Sequence, residues 1–174
     1  MSSATPPTTA SDRLVHLRPP RHTIEKRAVW WWTIRALVTW GAGLAALVAV
    51  AVLWEASRPW MAAPIALLSV VLAAKTLVEP WWRYRVHRWE IGEHATYARS
   101  GWIVQEWRVA PSSRIQTVDA VRGPIEQMLG LATLRVTTAS SYGAISVPGL
   151  DGATADAAVK KLAEVAEITP GDAT

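Results

Sequence analysis

The 174-residue chain contains no cysteine and no phenylalanine. Without thiols it forms no disulfide, carries no thiolate nucleophile and offers no metal site built on cysteine. Charge is also sparse. Lys, Arg, Asp and Glu reach 18%, below the quarter usual in soluble proteins, whereas apolar residues reach 51%. Familiar catalytic motifs are missing too. His16, His22, His87 and His94 are scattered without HExxH or any other ligand spacing, and no GxSxG, Walker loop or dinucleotide glycine fingerprint occurs. Asp119 and Glu126 are both carboxylates, but nothing in the sequence makes them converge. The expectation is a protein that is not an enzyme and has no catalytic residues, metal or cofactor.

What the chain does have is apolar length and tryptophan. Ala36 to Trp54 reads ALVTWGAGLAALVAVAVLW, nineteen residues without a charge, and Trp60 to Val78 reads WMAAPIALLSVVLAAKTLV, with Lys75 near its end. A spanning helix needs about 20 mainly apolar residues, so spans are expected at about 36–54 and 60–78, within a two-span transmembrane hairpin over 29–82. Only EASRP separates them. Two buried core helices are the soluble alternative, but the remainder is too short to wrap helices that are apolar all round. Seven of the eleven Trp (Trp30, Trp31, Trp32, Trp54, Trp60, Trp81 and Trp82) sit at the ends of these runs. Indole concentrates there because its ring is apolar while its N–H needs a wet partner. Ala49-Val50-Ala51 resembles a signal cleavage site but lies inside the apolar run, which begins some 35 residues in, so a cleavable signal is not expected. Gly41, Ala45 and Ala49 recur every fourth residue and predict a close helix–helix face, between the spans or with another subunit.

Charge sets the orientation. Residues 1–35 carry Arg13, Arg18, Arg21, Lys26, Arg27 and Arg35 against Asp12 and Glu25, and Arg83, Arg85 and Arg88 follow the second span. The link has only Arg58, balanced by Glu55. The positive-inside bias places both termini in the cytoplasm, as a multi-pass protein of the cytoplasmic membrane. Lys75, one turn from the inner edge, reaches the headgroups by snorkelling. Residues 81–174 balance ten basic against ten acidic residues, so the folded part carries no basic patch and nucleic acid is not an expected partner.

Beyond Trp82 come short, turn-punctuated segments. Strands are expected near Arg85–Ile91, Ala95–Arg99, Trp102–Ala110, Arg114–Val121, Ala132–Thr138 and Ala144–Val147. Ala132, Leu134, Val136 and Thr138 alternate with polar neighbours, the period of a half-buried strand; in Trp102–Ala110 the residues Ile103, Trp107 and Val109 mark the inner face. Gly123-Pro124 should begin a single helical turn ending at Gly130, with Ile125, Met128 and Leu129 plugging the core. Ala155, Ala158, Val159, Leu162 and Ala166 then repeat at helical spacing behind Asp151 as N-cap. The fold class read here is α+β: a two-helix transmembrane hairpin, then an antiparallel β-barrel or sandwich over 83–168 capped by a carboxy-terminal helix. Residues 1–28 form a basic arm and 169–174 a tail, both expected to be disordered.

The order of short motifs resembles the YdbS-like, membrane-flanked family of bacterial pleckstrin-homology-like domains. The matching pieces are Tyr84-Arg85-Val86, Arg99-Ser100-Gly101, Arg108-Val109-Ala110-Pro111, Arg114-Ile115-Gln116-Thr117-Val118, Gly123-Pro124-Ile125-Glu126, Leu129-Gly130-Leu131-Ala132 and Val147-Pro148-Gly149-Leu150, with Arg18-Pro19-Pro20-Arg21 ahead of the Trp-rich first span. Together they cover roughly residues 14–167. The resemblance implies two antiparallel sheets closed at one end by a helix, a bacterial inner-membrane location, and a binding or assembly role with no established reaction.

On that basis the expected function is a non-catalytic accessory or assembly subunit of a membrane protein complex. Its partners would be membrane lipids and another membrane protein of the same family, or further copies of itself. Arg114, Gln116 and Arg122 are the candidate protein contacts; the competing reading makes them a solvated strand face with its own cross-strand pairs. Arg83, Arg85, Arg88, Trp81 and Trp82 are the candidate membrane-surface contacts. A membrane-tethered lipid-headgroup-binding module is the alternative function, weakened by the neutral charge of the domain.

Overall fold

The structure is a computed structural model and describes residues 20–92, 95–139 and 143–168, with side chains described up to Val165. The expected disordered stretches at 1–19 and 169–174, and the side chain of Ala166, lie outside the described residues.

Helix α1 runs from Arg27 to Leu53. It ends at Trp54, whose extended backbone leaves the helix, and its last carbonyls find local donors. Ser57 Oγ donates to Trp54 O at 2.7 Å and Arg58 Nε to Ala51 O at 3.2 Å. These bonds satisfy groups that every helix end leaves open, and a single 3₁₀ turn, Glu55–Ser57, reverses the chain. Helix α2 (Arg58–Ala73), a π turn (Ala74–Val78) and α3 (Glu79–Val86) then form one unbroken helical rod. The π turn has a cause in Pro80, which has no N–H to give the carbonyl four residues back and whose ring crowds it, so the helix widens there. Both rods are long and apolar enough to cross a membrane, and the most apolar window of each is uncovered by protein. That exposure removes the soluble alternative of two buried core helices.

The predicted small-residue face is not the seam between these rods. A Cβ on Gly41 would meet nothing within 4 Å, and Ala45 and Ala49 are exposed; Gly43 is the glycine that faces the second rod, where an added Cβ would lie 3.6 Å from Leu68.

Two antiparallel sheets follow, open at their edges and not closed into a barrel. The first orders β1 (His22–Thr23), β2 (Arg88–Ile91), β3 (Ala95–Gly101) and β4 (Gln105–Pro111); the second orders β5 (Ile115–Val121), β6 (Leu131–Thr138) and β7 (Ile145–Asp151). Helix α4 (Pro124–Met128) links β5 to β6, and α5 (Gly152–Ile168) closes the domain. Ala155, Ala158 and Leu162 of α5 are buried, as their spacing predicts, and Asp151 Oδ2 accepts from Ala153 N–H at 3.1 Å as the N-cap.

Several expectations are corrected. The strand expected at Arg85–Ile91 begins only at Arg88, because helix α3 continues through Val86 and packs Tyr84 and Val86 inward. Met128 is 86% exposed, and Glu126 takes the buried place instead. Its Oε2 accepts from Gly123 N–H at 2.7 Å and its Oε1 from the Thr133 hydroxyl at 2.7 Å, so the buried carboxylate is satisfied. As expected, Asp119 and Glu126 do not converge: Asp119 lies opposite Arg135 in the β5–β6 ladder.

The largest correction concerns the arm, which is folded from His22 onward. Its strand β1 adds to β2, and Ile24, Ala28 and Trp32 enter the same core as Trp89, Leu131, Leu134, Val147 and Leu162. Glu25 N–H donates to Gly149 O at 2.9 Å. The close approach depends on glycine at 149, where φ is +76° and an added Cβ would fall 2.6 Å from that of Ala28. The domain therefore does not begin at residue 83. It borrows the first turns of α1, and the apolar rod and the sandwich share one core.

Candidate functional site

Where the rods meet the sandwich, the π turn and α3 carry a charged stripe. Lys75, Glu79 and Arg83 are spaced by four residues, and Glu79 bonds both cations: Lys75 Nζ at 2.7 Å and Arg83 Nη1 at 3.3 Å. The Arg83 guanidinium also lies 4.7 Å from the Trp32 ring, and Arg35 lies 5.6 Å from Trp31. Arg35, Lys75, Glu79 and Arg83 line a cleft of about 150 Å³ together with Trp32, Thr39 and Trp40. Three cations thus face one carboxylate at the end of the apolar rods. A second cleft, about 430 Å³, opens on the domain side and shares Trp32, Arg35 and Arg83 with the first.

His87 seals this junction from below. It is 3% exposed, its ring lies 5.3 Å from Trp32, and its Nδ1 donates to Arg83 O at 2.7 Å. Burial, with the Arg83 charge adding to it, pushes its pKa down to about 4, so the ring is neutral at physiological pH.

The other concave feature runs along strand β4. A groove of about 620 Å³ is bordered by Trp107, Arg108, Val109, Arg114 and Ile145 among others. Among the described residues, strand β4 is one of the two edges of its sheet. Its odd-numbered side, expected to face inward, faces out: Trp107 is 39% and Val109 44% exposed, and Ala110 is the buried residue. The Arg99 guanidinium sits 5.1 Å from the Trp107 ring on this face.

A family model described as "Bacterial PH domain" matches residues 28–166, taking in both rods and the sandwich. The chain belongs to the bacterial PH domain family. It is 27% identical over 158 residues to the UPF0699 transmembrane protein YdbS of Bacillus subtilis (strain 168), covering 88% of this chain and 97% of that protein. No solved structure matches it. The protein is thus a transmembrane protein with a bacterial PH domain, as the order of motifs implies.

Within this bacterial PH domain the residues singled out for protein contact are not brought together. Arg114 ends a 3₁₀ turn at the β4 groove, Gln116 is exposed near the start of β5, and Arg122 follows the far end of β5, roughly 25 Å of strand from Arg114. Arg122 is also engaged: its Nη2 bonds Asp156 Oδ1 and Oδ2 at 2.6 Å, tying β5 to α5. Of the membrane-surface candidates, Trp81, Trp82 and Arg85 are exposed, Arg83 turns inward to Glu79 and Trp32, and Arg88 lies in β2, opposite Thr23 and Arg99. Arg35 and Glu79 were not among the residues expected to act. The i, i+4 spacing of Lys75, Glu79 and Arg83 was the available signal.

Proposed function

We propose that this bacterial PH domain protein is a non-catalytic assembly subunit of a membrane complex, lying in the bacterial cytoplasmic membrane with two spans and both termini in the cytoplasm. The observation that carries this reading is the outward apolar side of β4, which among the described residues is an edge of its sheet. Trp107 and Val109 supply contact area there, and the neighbouring groove offers room for alternate side chains of an added strand. The partner is another membrane protein of the same family, held against β4 because both are fixed in one bilayer. The basic residues before the first rod and after the second support the orientation. Purification of the full chain in mild detergent, followed by mass spectrometry, tests the reading: a co-purifying membrane protein, lost on Val109→Asp, is expected. A monomer with no companion overturns it.

A second reading, a module that binds lipid headgroups, is favoured by one observation: Arg35, Lys75 and Arg83 converge on a cleft holding a single carboxylate. It predicts retention of anionic lipid by the purified full chain, reduced by Arg35→Gln and by salt.

A further inference from the structure

We propose that the tip of the β3–β4 hairpin, Trp102-Ile103-Val104, is a membrane-insertion loop that pins the PH domain to the same leaflet its rods enter. The register pairs Gly101 with Gln105, so these three residues alone make the tip. Hairpin tips are normally built from Gly, Asn, Asp or Ser, which solvate well and adopt turn conformations. Here they are an indole and two β-branched aliphatic side chains. Ile103 is 82% exposed and Val104 73%, so neither packs on the domain that presents it.

The location of the tip decides what covers it. Trp82 Nε1 donates to Trp102 O at 3.1 Å, and the Lys75 ammonium lies 5.0 Å from the Trp102 ring. Both residues belong to the rod of α2 and α3, at the end of its apolar run. Leu77, Val78 and Trp81, beside them in sequence, are exposed as lipid-facing residues are. The exposed apolar surface of the tip therefore continues that of the rod at one depth, the boundary where aromatic rings and lysine ammonium groups meet headgroups. The loop is also preformed. Gly101 has φ +120°, and a Cβ there would fall 1.9 Å from Val104 O, so only glycine closes this turn. A tip already held in shape and tethered to the rod loses little freedom on entering lipid. The rods, the shared core at α1 and this loop then give the domain three attachments, so it cannot swivel about a single linker.

The absence of cysteine makes the test direct, because one introduced thiol is the only label site. Ile103→Cys in the full chain, labelled with an environment-sensitive fluorophore and reconstituted in phosphatidylcholine–phosphatidylglycerol vesicles, is compared with Met128→Cys. Met128 is equally exposed but neighbours Leu129, whose carbonyl is bound by Arg27, about 12 Å along α1 before Arg35. The Ile103 label is expected to emit blue-shifted, to be quenched several-fold more by lipids brominated high on the acyl chain than the Met128 label, and to resist aqueous iodide. Equal iodide quenching at the two positions overturns the proposal. So does a blue shift that vanishes on dilution in lipid and is insensitive to brominated chains, which would place a second copy on the tip instead of the bilayer.

Discussion

The Arg27 guanidinium, on the first residue of the first apolar rod, bonds the Asp151 carboxylate at the joint of β7 and α5 at 2.6 Å, across 124 residues of sequence. The same guanidinium donates from Nη1 to Leu129 O at 2.9 Å. Membrane and domain halves are therefore joined by a charge-assisted contact beside the core they share.

Asp151 does two jobs, and substitutions separate them. Asp151→Asn should keep the cap on α5, since Asn caps as well as Asp, but lose the ion pair with Arg27. Asp151→Ala loses both and should lower the melting temperature further; equal melting of the two variants would show that the cap contributes nothing. The Arg27 bond holds the Asp151 pKa below the ordinary aspartate value. Its contribution is therefore present above the unfolded pKa and is lost as pH falls through the lowered folded value.

His87 works in a different pH window. Its folded pKa is pushed down to about 4 from an unfolded value of 6.5, so between these values the unfolded chain binds the extra proton. Stability should be full above pH 6.5 and fall as pH drops toward 4, by at most about 3 kcal/mol. Thermal unfolding of the detergent-solubilised chain from pH 7.5 to 4.5 measures this, with His87→Phe expected to show a shallower decline than the parent. Parallel curves would rule out His87 as the source.

Gly149→Ala combines two costs. The left-handed backbone there disfavours a Cβ by about 1–2 kcal/mol, and the new methyl would meet Ala28. The double variant with Ala28→Gly should recover the steric part and leave the backbone part, which a double-mutant cycle reads as coupling between the two sites. Simple additivity would mean that the strand and helix do not touch there.

The shared core also predicts a failed fragment. Residues 81–174 alone lack Ile24, Ala28 and Trp32, all buried in the whole chain. Removing one large aromatic from a core costs about 3–5 kcal/mol, a large part of what a domain has in total. The fragment should show no cooperative unfolding transition, while a chain beginning at residue 20 retains one. A sharp transition in the fragment would contradict the fold described for α1.

How much of this was legible varies with the range of the forces involved. Two apolar runs of nineteen residues, the first without a charge and the second with Lys75 alone, are each long enough for a spanning helix, so both rods could be read directly. The alternation in Ala132–Thr138 and the spacing of Ala155, Ala158 and Leu162 likewise marked buried faces, because one face of each element sees water. In β4 the same reasoning correctly grouped Trp107 with Val109 and then chose the wrong side. Period two says which residues share a face, and only the neighbouring sheet decides which face is covered. The junction cluster was half visible. Lys75, Glu79 and Arg83 could be aligned from spacing, whereas Arg35 and Trp32 join them only because α1 lies alongside.

By itself, then, the sequence determined the elements whose environment is local: two long apolar helices, the central strand, the closing helix, and the ordered motifs shared with the family. Tertiary structure decided the rest. The arm became part of the domain because Gly149 lets Ala28 approach, and Arg27 found Asp151 because β7 ends beside α1. An apolar hairpin tip came to rest against Trp82 and Lys75. Each of these depends on contacts between residues far apart in the chain, and no periodicity along the chain encodes such a distance.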